Sequence, residues 1–259
     1  MKVIVNADDF GYDDDTVAAT VECFSRRLIT SATIMPGMPA TEAAVAFARN
    51  HPEISFGVHL TYTTQTVERP VCEPSEIRSL TRSDGAFLSP NSMRTASLFG
   101  HVRVDDVILE TTAQLGLIRD HNVRISHVDS HGHLHKFPQF REALRSVLPK
   151  FGIRRVRSVQ TLYLDFPWRR PTYWLGLRWR EKLRREFTTT DSMFMPVGGV
   201  NDDWQTKLVA LAPSEGALEV GIHPGRSEPW RSQQALAAEE FASTCRESKV
   251  ELISWHDIQ

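Results

Sequence analysis

The chain has 259 residues, of which 41% are hydrophobic and 24% charged, with a formal net charge of -2. That length buries a large α/β core, and the composition is that of a globular domain, which excludes disordered and fibrous classes. A near-neutral balance gives no global attraction for nucleic acid or anionic membrane, so either partner would need a local patch, and no nucleic acid is expected.

Cys23, Cys72 and Cys245 lie far apart, with no CxxC pair. A structural zinc knuckle and a disulfide framework are therefore not expected, and a reducing cytoplasm is the simplest setting. The N-terminal run MKVIVNADDF reaches acidic residues by position 8 and does not read as a signal peptide. No stretch approaches the ~20 apolar residues of a membrane span.

In chain order, Lys2 to Ala7 reads as a buried first strand that stops at Asp8-Asp9-Phe10-Gly11. A helix is predicted over about Asp14 to Arg27, with Val17, Val21, Phe24 and Leu28 as its apolar stripe. Asp13, Asp14 and Asp15 suit a helix N-terminus. Ser31 to Met35 is a second strand, Ala40 to Arg49 a helix, and Ile54 to Val58 a third strand with His59 at its end. Thr61 to Pro90 lacks a period and is punctuated by Pro70, Pro74, Gly85 and Pro90, so it is expected to be a lid or substrate rim.

A long helix is predicted over about Arg103 to Asn122, then a strand over Ile125 to Asp129, a helix over Phe140 to Phe151, and a short strand over Arg154 to Ser158. Between Asp165 and Phe187, Trp168, Trp174, Trp179 and Tyr173 mix with Arg169, Arg170, Arg178, Arg180, Lys182, Arg184 and Arg185. Three readings fit this basic aromatic segment: an outer helix with a solvated face, a sugar-stacking platform, or an interfacial helix docking on membrane through Trp168 to Phe187. A helix over about Asp202 to Leu211, a strand over Ala217 to Ile222 ending at His223, a helix over about Gln233 to Glu247 and a strand over Val250 to Ile253 complete the chain.

Strand and helix alternate throughout, which predicts a parallel sheet of seven or eight strands with crossover helices. Chemistry-bearing residues cluster at strand ends, as in barrels with sites at the C-terminal mouth. The fold expected is one distorted (β/α) TIM-like barrel domain over 1–259, with an insertion at about 165–200.

Four of the ten histidines fall within His127 to His135, together with Asp129. In an extended segment His127, Asp129, His131, His133 and His135 would face one way, His131 and His133 ~6.6 Å apart. Imidazole and carboxylate are ligands for a borderline divalent metal. Candidates for a catalytic metal site are Asp8 or Asp9, His59, and one or two of His131, His133 and His135. On a regular strand Asp8 and Asp9 would face opposite ways, so both reach one site only if the backbone turns there. One could then ligate while the other takes a proton.

Asn6-Ala7-Asp8-Asp9-Phe10-Gly11, Gly57-Val58-His59-Leu60, Asp129 to His135 and Gly221-Ile222-His223-Pro224-Gly225 together resemble the successive signatures of the YdjC-like carbohydrate deacetylases. The resemblance implies a distorted barrel, a divalent metal, and hydrolysis of an N-acetyl group on an amino sugar to give acetate and a free amine. It implies Asp9, His59 and His131 as metal ligands, Asp8 as general base and His223 as general acid. Asn6, His127, Asp129, His133 and His135 would orient ligands or substrate. The family usually has another histidine where this chain has Gly132. Magnesium follows from the resemblance, and zinc from one carboxylate with two imidazoles. A metal-independent glycosidase using Asp8 with Asp129, and a non-catalytic sugar- or lipid-binding barrel, are the rival readings. Oligomeric state is open, with a homodimer among the options.

Overall fold

The first strand carries two different faces. In β1 (Lys2–Phe10), Val3, Val5 and Ala7 join the main apolar core, while Ile4 joins a second cluster with Ala217, Ile253, Trp255 and Ile258. Alternation along the strand puts the first set under the helices and the second inside the curl of the sheet. Both faces are buried, as a parallel sheet requires.

The structure, a computed structural model, describes residues 1–164, 167–169, 171–196, 203–212 and 215–259. Among them, β2 (Ser31–Ile34), β3 (Ser55–Leu60), β4 (Ile125–Ser130), β5 (Ser192–Phe194), β6 (Ala217–Ile222) and β7 (Glu251–Leu252) join β1. The order is β4-β3-β2-β1-β6-β5, and every pairing is parallel. β7 pairs only with Lys2 and Val3, before β2 takes over β1 at Asn6. The sheet curls into a partial barrel. Between β4 and β5 the gap is crossed by single parallel bridges, Val128 to Val156 and Arg155 to Thr188. The strand predicted over Arg154–Ser158 thus appears only as these bridges.

Helices α1 (Asp14–Ser25), α2 (Thr41–Asn50), α3 (Pro90–Leu98), α4 (Val104–Asp120), α5 (Pro138–Val147), α6 (Pro171–Glu186), α7 (Trp204–Leu211) and α8 (Pro229–Glu247) surround it. Asp13 caps α1, its side chain accepting from the Thr16 N–H, with Thr16 reaching back in a capping box. The stripe predicted on α1 is only half right. Thr16, Ala19, Thr20 and Cys23 form its buried face, and Val17, Val21 and Phe24 pack beside them. The aperiodic stretch 61–89 contains neither helix nor strand, whereas α3, which follows a Ser89 cap and Pro90, carries too few apolar residues to be predicted.

In the basic aromatic segment, Trp179 packs on Phe137 with ring centroids 4.9 Å apart, and Leu183 one turn on is buried. Trp168 and Trp174 are more than half exposed. Positions 165, 166, 170 and 197–202, within the stretch read as an insertion or at the start of the helix predicted from Asp202, lie outside the described residues.

Candidate active site

Asp8 and Asp9 lie inside β1, not beyond its end as the sequence implied. They share one site because the strand is broken there. Register passes from Ala7 opposite Ala32 to Phe10 opposite Ile34, so β1 spends one residue more than β2, a bulge. Asp9 takes a left-handed backbone with φ 59°. Such conformations cost a side-chain-bearing residue roughly 1–2 kcal/mol and cluster at functional sites. Here the reward is two adjacent carboxylates aimed into one mouth.

His59 lies within β3, and its Nδ1 meets Asp129 Oδ1 at 2.7 Å on the neighbouring strand. Its Nε2 is 3.4 Å from Asp9 Oδ1. His131 follows β4 directly and brings Nδ1 to 3.3 Å from the same oxygen. Asp9, His59 and His131 thus offer three ligand atoms within 4.8 Å of one another. Arg231 holds the other oxygen, Asp9 Oδ2, at 2.9 Å, leaving Oδ1 to the triad.

The expected row of parallel histidines does not form. His131 to Lys136 coils into a tight 3-10 segment in which Gly132 (φ 66°) and His133 (φ 57°) are both left-handed. The turn sends successive histidines to different places. His131 reaches Asp9, and His133 lines the cavity. His135 turns inward to Ser130 Oγ at 2.8 Å. Burial, with the Arg157 and Lys136 charges, pushes His135 down to about 3. His127 does not line the cavity either. It lies buried against Gly57, stacked on Trp255 at 4.4 Å, with Nδ1 on Ser126 Oγ at 2.8 Å.

Asp8 belongs to a different arrangement. Both its oxygens meet Arg157, NH1 and NH2 each at 2.6 Å, and Asn6 donates Nδ2 to Oδ1 at 2.9 Å. The same guanidinium reaches Asp129 Oδ2 at 2.7 Å and Glu219 Oε1 at 2.8 Å, all fully buried. Three carboxylates around one guanidinium leave an excess of negative charge. Burial pushes Glu219 up to about 7 against the pull of Arg157, while Arg157 holds Asp8 far below the usual range despite burial. Burial would depress His59, but Asp129, Asp8 and Asp9 hold it up at about 9.

His223 stands at the end of β6, its backbone N–H on Gln234 Oε1 at 2.6 Å and Nδ1 on the same oxygen at 3.2 Å. An amide oxygen there fixes the proton on Nδ1, so Nε2 faces the cavity, 3.9 Å from Asp8 Oδ2. Burial holds His223 below its ordinary value against the pull of Asp9 and Asp8. The cavity over these groups is about 640 Å³ and is walled also by Tyr12, Gln65, Arg94 and Trp230. Tyr12 OH hydrogen-bonds to Thr66 Oγ1, which ties the 61–89 stretch to the β1 end as a rim.

Arg157 and Arg231 were not anticipated. A signal existed for Arg157: it interrupts a short strand-like run, as Glu219 interrupts ALEVGI, and two charges on buried strands need each other or another partner. Arg231, in the first turn of α8, had none. The geometry does not support the paired-carboxylate glycosidase. Asp8 and Asp129 share one guanidinium instead of facing each other across an opening, and Asp129 does not line the cavity.

A family model described as YdjC-like protein matches residues 2–254. The chain belongs to the YdjC-like family. Relatives named carbohydrate deacetylase include one from Vibrio cholerae, 26% identical over 100% of this chain and 94% of its own length. Another, from Vibrio vulnificus, is 35% identical over 86% of this chain and 78% of its own. A third, from Geobacillus stearothermophilus, is 34% identical, and there the match spans 61% of this chain and only 60% of the relative. A solved structure provisionally described as a cellobiose-phosphate cleavage protein from Enterococcus faecalis V583 superposes with a TM-score of 0.78 at 23% identity, covering 98% of this chain and 97% of that one. At that identity the likeness speaks for the fold.

Proposed function

We propose that the chain is a metal-dependent hydrolase that removes the acetyl group from an N-acetylated amino sugar, releasing acetate and a free amine. The observation that carries this reading is the Asp9–His59–His131 triad, open to a cavity of about 640 Å³ in which Asp8 and His223 stand 3.9 Å apart. Named carbohydrate deacetylases among the relatives support it.

The donor set fits a divalent ion. His59 presents Nε2 while Asp129 holds Nδ1, the usual way a carboxylate orients a ligating imidazole. Without an ion, the surplus carboxylates keep a proton on His59, so the site is built for positive charge. When bound, the ion supplies a Lewis acid for the amide carbonyl and the attacking water. Asp9, His59 and His131 would hold it. Zinc suits two imidazoles and a carboxylate, and magnesium is the family expectation. Metal analysis of protein purified without added metal distinguishes them.

Asp8, fixed by Arg157 and Asn6, accepts the proton of the attacking water. His223, as imidazolium, donates from Nε2 to the departing amine, and burial makes it a ready donor. Tyr12 and Trp230 offer aromatic faces for a sugar ring. One observation favours His223 as the base: Arg157 suppresses the basicity of Asp8, while neutral His223 aims an unshared pair into the cavity. The two assignments differ in sign. With metal saturating, kcat/KM falls as pH rises through the His223 pKa if His223 is the acid, and rises if it is the base.

An acetate-release screen over N-acetylhexosamines, chitooligosaccharides and amino-sugar glycolipids, with and without chelator, tests the reaction. Chelator-insensitive release would remove the metal. No release across the panel would leave the non-catalytic binding barrel. Contact of Trp168 to Phe187 with membrane is a further proposal, supported by exposed Trp168 and Trp174 beside basic residues. Pelleting with anionic vesicles in low and high salt tests it. No helix among the described residues is long and apolar enough to cross a membrane.

A further inference from the structure

The two imidazoles of the triad are held alike on the inside and differently on the outside. His59 turns Nε2 to Asp9 Oδ1 at 3.4 Å, and its Nδ1 meets buried Asp129 at 2.7 Å. His131 turns Nδ1 to the same Asp9 oxygen at 3.3 Å, and its Nε2 meets the side-chain amide of Gln65 at 3.3 Å. Each ring therefore gives one nitrogen to the centre and one to an outer partner. The two inner distances are long for hydrogen bonds. They match the ~3.4 Å that separates donor atoms bonded at ~2.1 Å to one tetrahedral ion. Nδ1 is thus the atom that His131 offers, which leaves its other nitrogen to Gln65.

Gln65 is exposed, but the chain that carries it is fastened. On one side the Thr61 N–H donates to Gln114 at 2.9 Å, and the Thr64 N–H to the Leu88 carbonyl at 3.2 Å. On the other, the Val71 and Cys72 N–H groups donate to Glu110 of α4 at 2.9 and 3.0 Å. Residues 65–70 form a strap between these feet. Inside it, buried Glu68 accepts from the Gln65 and Thr66 N–H groups, both at 2.9 Å, and from Thr64 Oγ1 at 3.2 Å. Thr66 reaches across the mouth to Tyr12. A buried carboxylate that collects three donors from one short turn fixes that turn, so the Gln65 amide is delivered to His131 by a set backbone.

Resting on the metal-site reading, we propose that Gln65 is a positioning residue of this centre: its amide carbonyl accepts from His131 Nε2–H and so keeps Nδ1 available to the ion. A neutral imidazole carries its proton on one nitrogen. While Nδ1–H donates to Asp9, Nε2 accepts from the amide N–H. When Nδ1 ligates, the proton sits on Nε2, and a half-turn of the amide brings Oε1 round to accept it. The amide serves both tautomers because it carries a donor and an acceptor at the same reach. Asp129 can only accept, so His59 is held in the ligating tautomer. The barrel sets the first imidazole, and the rim sets the second.

The test is the affinity of the full chain for cobalt(II) and zinc(II), by competition with a chelator of known strength, together with the visible absorption of the cobalt form. Gln65→Leu fills similar space without donor or acceptor and should weaken both ions about 10- to 100-fold. Gln65→Glu, which keeps an acceptor at the same reach, should bind as tightly as the natural chain or more so. At saturation, the cobalt bands of Gln65→Leu should match those of the natural chain. An unchanged affinity in Gln65→Leu, or an equal loss in Gln65→Glu, overturns the proposal, the second by making the role one of packing. Altered cobalt bands in Gln65→Leu overturn it as well, because Gln65 would then be a ligand itself. No binding of either ion by the natural chain sinks the metal reading and this role with it. The expected order of affinities without acetate release from any sugar upholds the role and counts against the deacetylase reading alone.

Discussion

Two clusters of acids and histidines stand side by side at the barrel mouth, and they behave oppositely. Asp9, His59 and His131 gather three donor atoms with an open side toward the cavity. Asp8, His59 and Asp129 bring donors equally close, yet Arg157 already occupies their middle, with 2.6 Å contacts to Asp8 and 2.7 Å to Asp129. Proximity of ligand types is therefore not a metal site by itself. A resident guanidinium fills the second cluster, whereas in the first Arg231 takes one oxygen of Asp9 and leaves the other open; His59, common to both, is held protonated chiefly by Asp129, then by Asp8 and Asp9. The bulge at Asp9 makes the division possible by sending neighbouring carboxylates to different partners.

The sharpest way to break this contrast is to exchange the two aspartates' fates. Asp9→Asn should abolish metal uptake and acetate release together. Asp8→Asn should retain metal, read by elemental analysis, and lose about 10²- to 10⁴-fold in kcat. Metal lost from Asp8→Asn but kept in Asp9→Asn would reverse the two clusters. Next in size, Arg157→Met leaves Asp8, Asp129 and Glu219 buried without their cation. It should cost about 3–5 kcal/mol in denaturant unfolding, because stranded charge is dearer than a lost contact. An unfolding midpoint equal to that of the natural chain would show that the guanidinium is not what closes the second cluster.

A smaller effect is expected where the clusters touch. Asp129→Asn exchanges the carboxylate that accepts from His59 Nδ1 for a neutral amide, so metal affinity should fall about 10- to 100-fold with the fold retained. Smallest is the pH response. An ion taken by Asp9, His59 and His131 would displace the His59 proton, so apparent affinity should rise with pH by about tenfold per unit and level off near the His59 value of about 9. In the metal-free chain the sign is opposite. The stability from protonated His59 is fully present below the ordinary 6.5 and is lost as pH rises through about 9. Proton release measured on metal addition at pH 7 checks both, and none would mean that His59 is already neutral.

The alternation of strand and helix is written in local hydrophobic pattern, so the parallel α/β architecture and the grouping of Asp8, Asp9, His59 and His223 toward one end of the sheet were legible in the chain itself, though not that the first three lie within their strands. Residue types were legible too, since imidazole and carboxylate at one mouth restrict the chemistry to a few classes. What lay beyond the sequence depends on contacts far apart in the chain. Arg157 meets Asp8 across 149 residues, and Arg231 meets Asp9 across 222. The fate of the histidine cluster was decided by two left-handed residues, Gly132 and His133. An extended reading from alternation alone could not anticipate them, because an L residue such as His133 holds φ 57° only when the surrounding packing requires it. Local pattern determines which elements form and which chemistry they carry. Only the tertiary structure decides which carboxylate is left free to meet a cation, because that depends on where a buried guanidinium comes to rest.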